Sequence, residues 1–182
     1  TMAYAGEVPW HGLGVQVPAD LSPAQMLEKA GLDWTVEKVP AYATINGVQK
    51  SVWHSALVRS SDDRIIDVVT NDWNPVQNHE AFEFFHEYCA AGDMEMHTAG
   101  SLRDGQIVWA LAKVKESFEL FKGDQVDSYM LFTNPHKFGQ SIDVRFTPIR
   151  VVCNNTLTLS LNQKADRVVK KSHRTVFDPA EV

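Results

Sequence analysis

The sequence predicts an α+β domain with helices laid on one face of an antiparallel sheet. Three observations carry that expectation. Runs of β-branched and aromatic residues at strand length recur along the chain, Asn46-Gly47 stands between two of them as a hairpin turn, and residues 78–91 place apolar side chains at helical spacing. The order is helix, three strands, helix, then three or four strands, with no internal repeat. At 182 residues with 44% hydrophobic and 22% charged side chains, there is room for one globular domain.

Residues 1–20 are expected to form an extended arm, punctuated by glycine and proline. Ser22-Pro23-Ala24-Gln25 then spells a capping box with proline at the first helical position. A short helix follows, with Met26, Leu27 and Ala30 on its apolar side and Gly31 as its stop. Residues 34–45 read as a strand in which Pro40 marks an edge or a bulge. After Asn46-Gly47 come a second strand, Val48–Arg59, a turn over 60–63 and a third strand over 64–69, completing a three-stranded meander.

The strongest helix is Asn78–Ala91, with Asn78 as N-cap and Gly92 as stop. Ala81, Phe82, Phe84, Phe85, Tyr88 and Cys89 make its apolar face, and His79, Glu80, Glu83, His86 and Glu87 its polar one. Strands over 95–102 and 107–114 flank the turn Arg103-Asp104-Gly105-Gln106, and strands over 125–133 and 142–149 flank a polar loop at 134–141. Residues 154–162 fit either a short helix or a strand. The expected domain is 1–163, followed by a basic segment, 164–182, that leads into further chain.

No apolar run approaches the roughly 20 residues that span a bilayer, so no membrane association is expected. Two cysteines without a C-x-x-C pair, and no leader-like pattern in residues 1–14, point to a reducing cytoplasmic setting. Specific enzyme signatures are lacking. His79, Glu83 and His86 share one helix side at i, i+4 and i+7, but no second helix repeats the pattern, so the expected role is a solvated face with no metal. Cys89 falls on an apolar face; Cys153, near Arg150, has no histidine at a telling distance. Gly12-Leu13-Gly14 lacks the third glycine, strand and helix of a dinucleotide site. Neither a catalytic residue nor a cofactor is expected.

Charge distribution is more informative. A formal charge of −6 argues against a uniformly basic DNA-coating surface. Yet residues 164–174 carry Lys164, Arg167, Lys170, Lys171 and Arg174 against Asp166 alone, while residues 1–163 have 12 basic and 20 acidic side chains. Lys137, Arg145 and Arg150 lie upstream, with Phe138 beside the first. Cations interleaved with an aromatic ring suit a single strand, the charges facing phosphates and the ring facing bases. The tryptophans Trp10, Trp53, Trp73 and Trp109 are expected to pack in the core or on a sheet sooner than to stack on bases, with Trp109 buried. Trp10, its neighbour His11, and Trp73 sit beside Gly or Asn and are the interface candidates.

Several segments together resemble a known family. They are Pro9-Trp10-His11-Gly12-Leu13-Gly14, Ala30-Gly31-Leu32-Asp33-Trp34, Pro75-Val76-Gln77-Asn78 with Glu80-Ala81-Phe82, Thr98-Ala99-Gly100-Ser101-Leu102, and Phe146-Thr147-Pro148 running to Val151-Val152-Cys153-Asn154-Asn155-Thr156-Leu157. The resemblance is to phage- and plasmid-encoded proteins catalogued as a domain of unknown function. It implies a mobile-element setting of replication, recombination or evasion of host defence. By fold analogy, a helix, a meander and a long helix are similar to the core of single-strand annealing recombinases.

The leading expectation is a cytoplasmic single-strand DNA-binding protein that anneals strands as a homo-oligomer. Its phosphate contacts would be Lys137, Arg145, Arg150 and the 164–174 strip, with Phe138 stacking; Arg145→Ala or Arg150→Ala should then weaken binding alike for all sequences. Two alternatives stand beside it: an acidic decoy of a host defence protein, and an enzyme of unknown class.

Overall fold

The computed structural model describes residues 2–5, 14–18, 21–114, 118–121, 124–126, 128–147, 161, 167–171 and 173. Two short strands, β1 (Met2–Ala5) and β2 (Val15–Val17), lie where an extended arm is expected, and they pair in parallel. All four residues of β1 are buried. Helix α1 (Pro23–Lys29) has the expected capping box: the Ser22 hydroxyl accepts from Gln25 N, and the side-chain oxygen Oε1 of Gln25 accepts from Ser22 N.

The meander is present as a sheet of its own, in the order β3 (Val36–Ile45), β4 (Val48–Arg59), β5 (Arg64–Thr70). Asn46 and Gly47 both take positive φ (49° and 78°), as a two-residue hairpin turn requires. The register slips at Pro40, placing the bulge where proline removes a ladder donor.

Helix α2 spans Asn78–Ala91 and is followed by Gly92. Its cap differs by one residue from expectation. Gln77 is the N-cap residue, because Asn78 is buried with its side-chain oxygen held by His136 and its amide nitrogen donating to the carbonyls of Leu32 and Trp34. The faces follow the helical spacing: His79, Glu80, Glu83, His86 and Glu87 are exposed, while Ala81, Phe82, Phe84, Phe85 and Cys89 are buried.

The remaining strands are β6 (Met94–Leu102), β7 (Ile107–Val114), β8 (Phe118–Phe121), β9 (Asp124–Val126), β10 (Tyr129–Pro135), β11 (Ile142–Thr147) and β12 (Arg167–Lys171). The single strand expected over 125–133 is two, since β9 pairs with β8 while β10 runs between β7 and β11. A seven-stranded sheet has the order β12-β11-β10-β7-β6-β1-β2 and is antiparallel except between β1 and β2.

One face of the large sheet carries α1 and α2 over the main core, where Phe84 and Phe85 pack on Phe132. A second cluster on the other face gathers Tyr4, Trp109, Leu111, Tyr129 and Leu131, with Leu161 packed against it. The fold class is therefore α+β with mostly strands. Among the described residues, no helix is long and apolar enough to cross a membrane.

Candidate nucleic-acid interface

Two of the predicted cationic segments meet at one corner of the large sheet. Strand β12 carries Arg167, Lys170 and Lys171 and is the sheet's outer strand. Its register sets Lys171 opposite Ile142 and Lys170 opposite Asp143. Ile142 opens β11 directly after the turn holding Lys137 and Phe138, so residues some 30 apart in sequence come together at that edge. Within the turn, Gly139 takes φ +78° and Phe138 N donates to Asp67 Oδ2 at 2.9 Å. Lys137 is half-buried, and the Phe138 ring is 44% exposed.

A buried polar cluster anchors the same corner. His173, two residues beyond β12, is 2% exposed and stacks on Trp73 at 4.3 Å between ring centroids. Its backbone carbonyl accepts from Asn74 N at 2.8 Å, and its Nδ1 lies 3.1 Å from the Asn74 carbonyl. His136 is fully buried, with Nε2 2.8 Å from Asn78 Oδ1. Because the Asn78 amide nitrogen is committed to Leu32 and Trp34, His136 Nε2 is the donor there. Burial, and then the nearby His173, push His136 down to about 3. Burial also lowers His173, against the opposing pull of the Asn74 and Pro135 carbonyls.

Three assignments from sequence change. Arg145 is 3% exposed in the second core, where its guanidinium meets Asp143 at 2.5 and 3.0 Å and donates to the Leu161 carbonyl at 2.7 Å. Its charge is spent inside the protein, so it does not stand ready for a phosphate, and removing it would leave Asp143 without this buried partner. Trp73, an interface candidate by its loop setting, is 2% exposed under His173, so the packing expectation holds for it and the interface one does not. Trp53, expected in the core or packed on a sheet, is 79% exposed. Trp10, His11, Arg150, Cys153, Lys164 and Arg174 lie outside the described residues.

Residues 65–182 match the family described as a domain of unknown function, DUF932. The chain belongs to the DUF932 family. The match starts inside β5 and takes in α2 and every later strand, so the whole cationic corner lies within the DUF932 region. No curated protein and no solved structure matches this DUF932 chain.

The other candidate chemistries of the DUF932 chain are placed as follows. Cys89 is buried and its thiol is pushed up to about 12 by burial, which keeps it protonated and inert at neutral pH. His79 and Glu83 line a groove of about 280 Å³ between α1 and α2, together with Leu27, Phe82, Glu28 and Asp33. Among the described residues no three His, Cys, Asp or Glu side chains are grouped to hold a metal ion.

Sequence reasoning placed both strands of the β3–β4 hairpin but missed that, among the described residues, its outer part is unpaired by a third strand and exposed. Strand β5 pairs with β4 only from His54 to Arg59, so beyond that point β3 and β4 run on as a two-stranded ribbon. Tyr42, Ile45, Val48, Val52 and Trp53 are exposed on it. The signal that could have found it is compositional: residues 38–59 contain no Asp or Glu in an acidic chain.

Proposed function

We propose that this chain is a phage- or plasmid-encoded single-strand DNA-binding protein that promotes annealing or recombination and works as an oligomer. The observation that carries the reading is the corner where Lys137 and Phe138 join the outer strand bearing Arg167, Lys170 and Lys171. Cations along a sheet edge can track a phosphate backbone, and an exposed ring beside them offers a stacking face to any base. Arg145 is not part of this surface. The two carboxylates nearest in register or contact are engaged: Asp143 by Arg145, and Asp67 by the backbone N–H groups of Val68 and Phe138.

The test is fluorescence anisotropy of a labelled single strand at two salt concentrations, with light scattering on the same sample. Wild type is expected to bind in a salt-sensitive manner and in large assemblies. Lys170→Glu with Lys171→Glu should weaken binding alike for all sequences and reduce the salt slope by about 1–2, from roughly 0.7 for each phosphate no longer neutralised. Phe138→Ala should weaken binding by about 1–3 kcal/mol with the slope kept. Unchanged binding in both variants would remove the corner from the interface.

A second reading is favoured by the exposed carboxylates of α2, namely Glu80, Glu83 and Glu87, of which Glu83 lines the groove with Glu28 and Asp33. They suit an acidic decoy of a host defence protein. No binding to DNA at low salt, with capture of a host nuclease, would select that reading.

A further inference from the structure

We infer that the β3–β4 ribbon of one copy docks into the groove between α1 and α2 of a second copy, joining chains head to tail. The ribbon needs a partner on physical grounds. Two strands without a third are marginal in water, and this pair also presents Tyr42, Ile45, Val48, Val52 and Trp53 to solvent. Aromatic and aliphatic residues with few charges are the composition of the centre of a protein interface, whereas a phosphate-tracking arm would carry more cations than Lys50 at its far end.

Trp53 is aimed outward by the backbone. Between the pairs Tyr42–Ser51 and Pro40–Ser55, β4 has three residues where β3 has one. In this bulge Trp53 takes φ +58°, its N–H donating to Ser51 Oγ at 3.2 Å, and the ring is left 79% exposed.

The groove matches the ribbon in chemistry. Pro23, Ala24 and the edge of Leu27 give it an apolar lining over the buried Phe82, and Glu28, Asp33 and Glu83 make its rim acidic. The ribbon brings Lys50 and His54 and no carboxylate. Ribbon against ribbon would instead oppose like charges. A chain cannot fill its own groove: β3 starts three residues after Asp33 and, at about 3.3 Å per residue, carries its tip about 30 Å away. Because ribbon and groove are different patches, the contact is heterologous and propagates into a ring or a filament.

This inference supplies the contact for the oligomer of the proposed function, and it is read without DNA, so either can fail alone. The experiment is light scattering coupled to size exclusion across a concentration series. Wild type should assemble beyond a dimer. A ribbon variant (Lys50→Gln, Trp53→Ser) and a groove variant (Glu28→Lys, Glu83→Lys) should each raise the concentration needed for assembly about tenfold or more. All four positions are exposed, so far-UV circular dichroism should match wild type. Mixing the two variants should restore one intact contact per pair and yield 1:1 dimers that grow no further. A monomeric wild type would overturn the inference, and so would variants that assemble normally or a mixture that stays monomeric. A ribbon variant that assembles normally but loses single-strand binding would overturn it too, assigning the ribbon to DNA.

Discussion

His136 shows how one side chain couples the fold to pH. Its Nε2–H is held by Asn78, Nδ1 has no partner among the described residues, and an imidazolium there would be a buried cation beside His173. The unfolded chain would protonate this residue near its ordinary value of 6.5, the folded chain at about 3. Between those values the unfolded state binds the extra proton. Stability from this residue is therefore whole above about 6.5 and is lost as pH falls toward 3. His173, also lowered, acts in the same direction. Urea midpoints between pH 7.5 and 4 should fall with pH in wild type and less steeply in His136→Gln; equal slopes would assign the loss to other groups.

Among the elements, the β6–β7 turn does more than reverse the chain. Arg103, Asp104 and Gly105 all take positive φ there, which turns the Asp104 carbonyl toward Arg59 Nη1 at 2.8 Å and its carboxylate toward Arg64 at 2.8 Å. Arg59 lies over the Trp34 ring and is also paired with Asp62, so the turn clamps the foot of the small sheet to the large one. Gly105 has φ +94°, and a Cβ on it would stand 3.1 Å from both Arg59 Nη1 and the Trp34 ring. Gly105→Ala should thus destabilise by about 2 kcal/mol or more, from strain plus crowding. Gly47→Ala, where φ is +78° and nothing lies within 4 Å, should cost less. Thermal unfolding of the two variants side by side gives the comparison.

At the scale of the molecule, two contacts among the described residues attach β12: its ladder with β11, and the seating of His173 on Trp73. Trp73→Ala should loosen the second attachment and speed hydrogen exchange at residues 167–171 well before the amides of α2 or β7 respond. Exchange rising equally in all three would mean that β12 opens only with the whole domain. The local parts of this fold were legible in the sequence because their causes are local. Capping residues and helical spacing placed both helices, and Asn46-Gly47 with its flanking patterns placed the meander. Strands buried on both faces have no alternation to read, as in β10, where every residue is buried, so its limits and those of β1 followed from pairing alone. The candidate site was half legible: charge counting found Lys137, Arg167, Lys170 and Lys171, and register brought them to one edge. Exposure was decided only by tertiary structure. Arg145 is buried because Asp143 and the Leu161 carbonyl meet it in the second core, Trp73 because His173 covers it, and Trp53 is exposed because a bulge and the end of β5 leave it uncovered. Residue type and spacing state what a side chain could do; the contacts made by distant segments decide whether it faces solvent to do it.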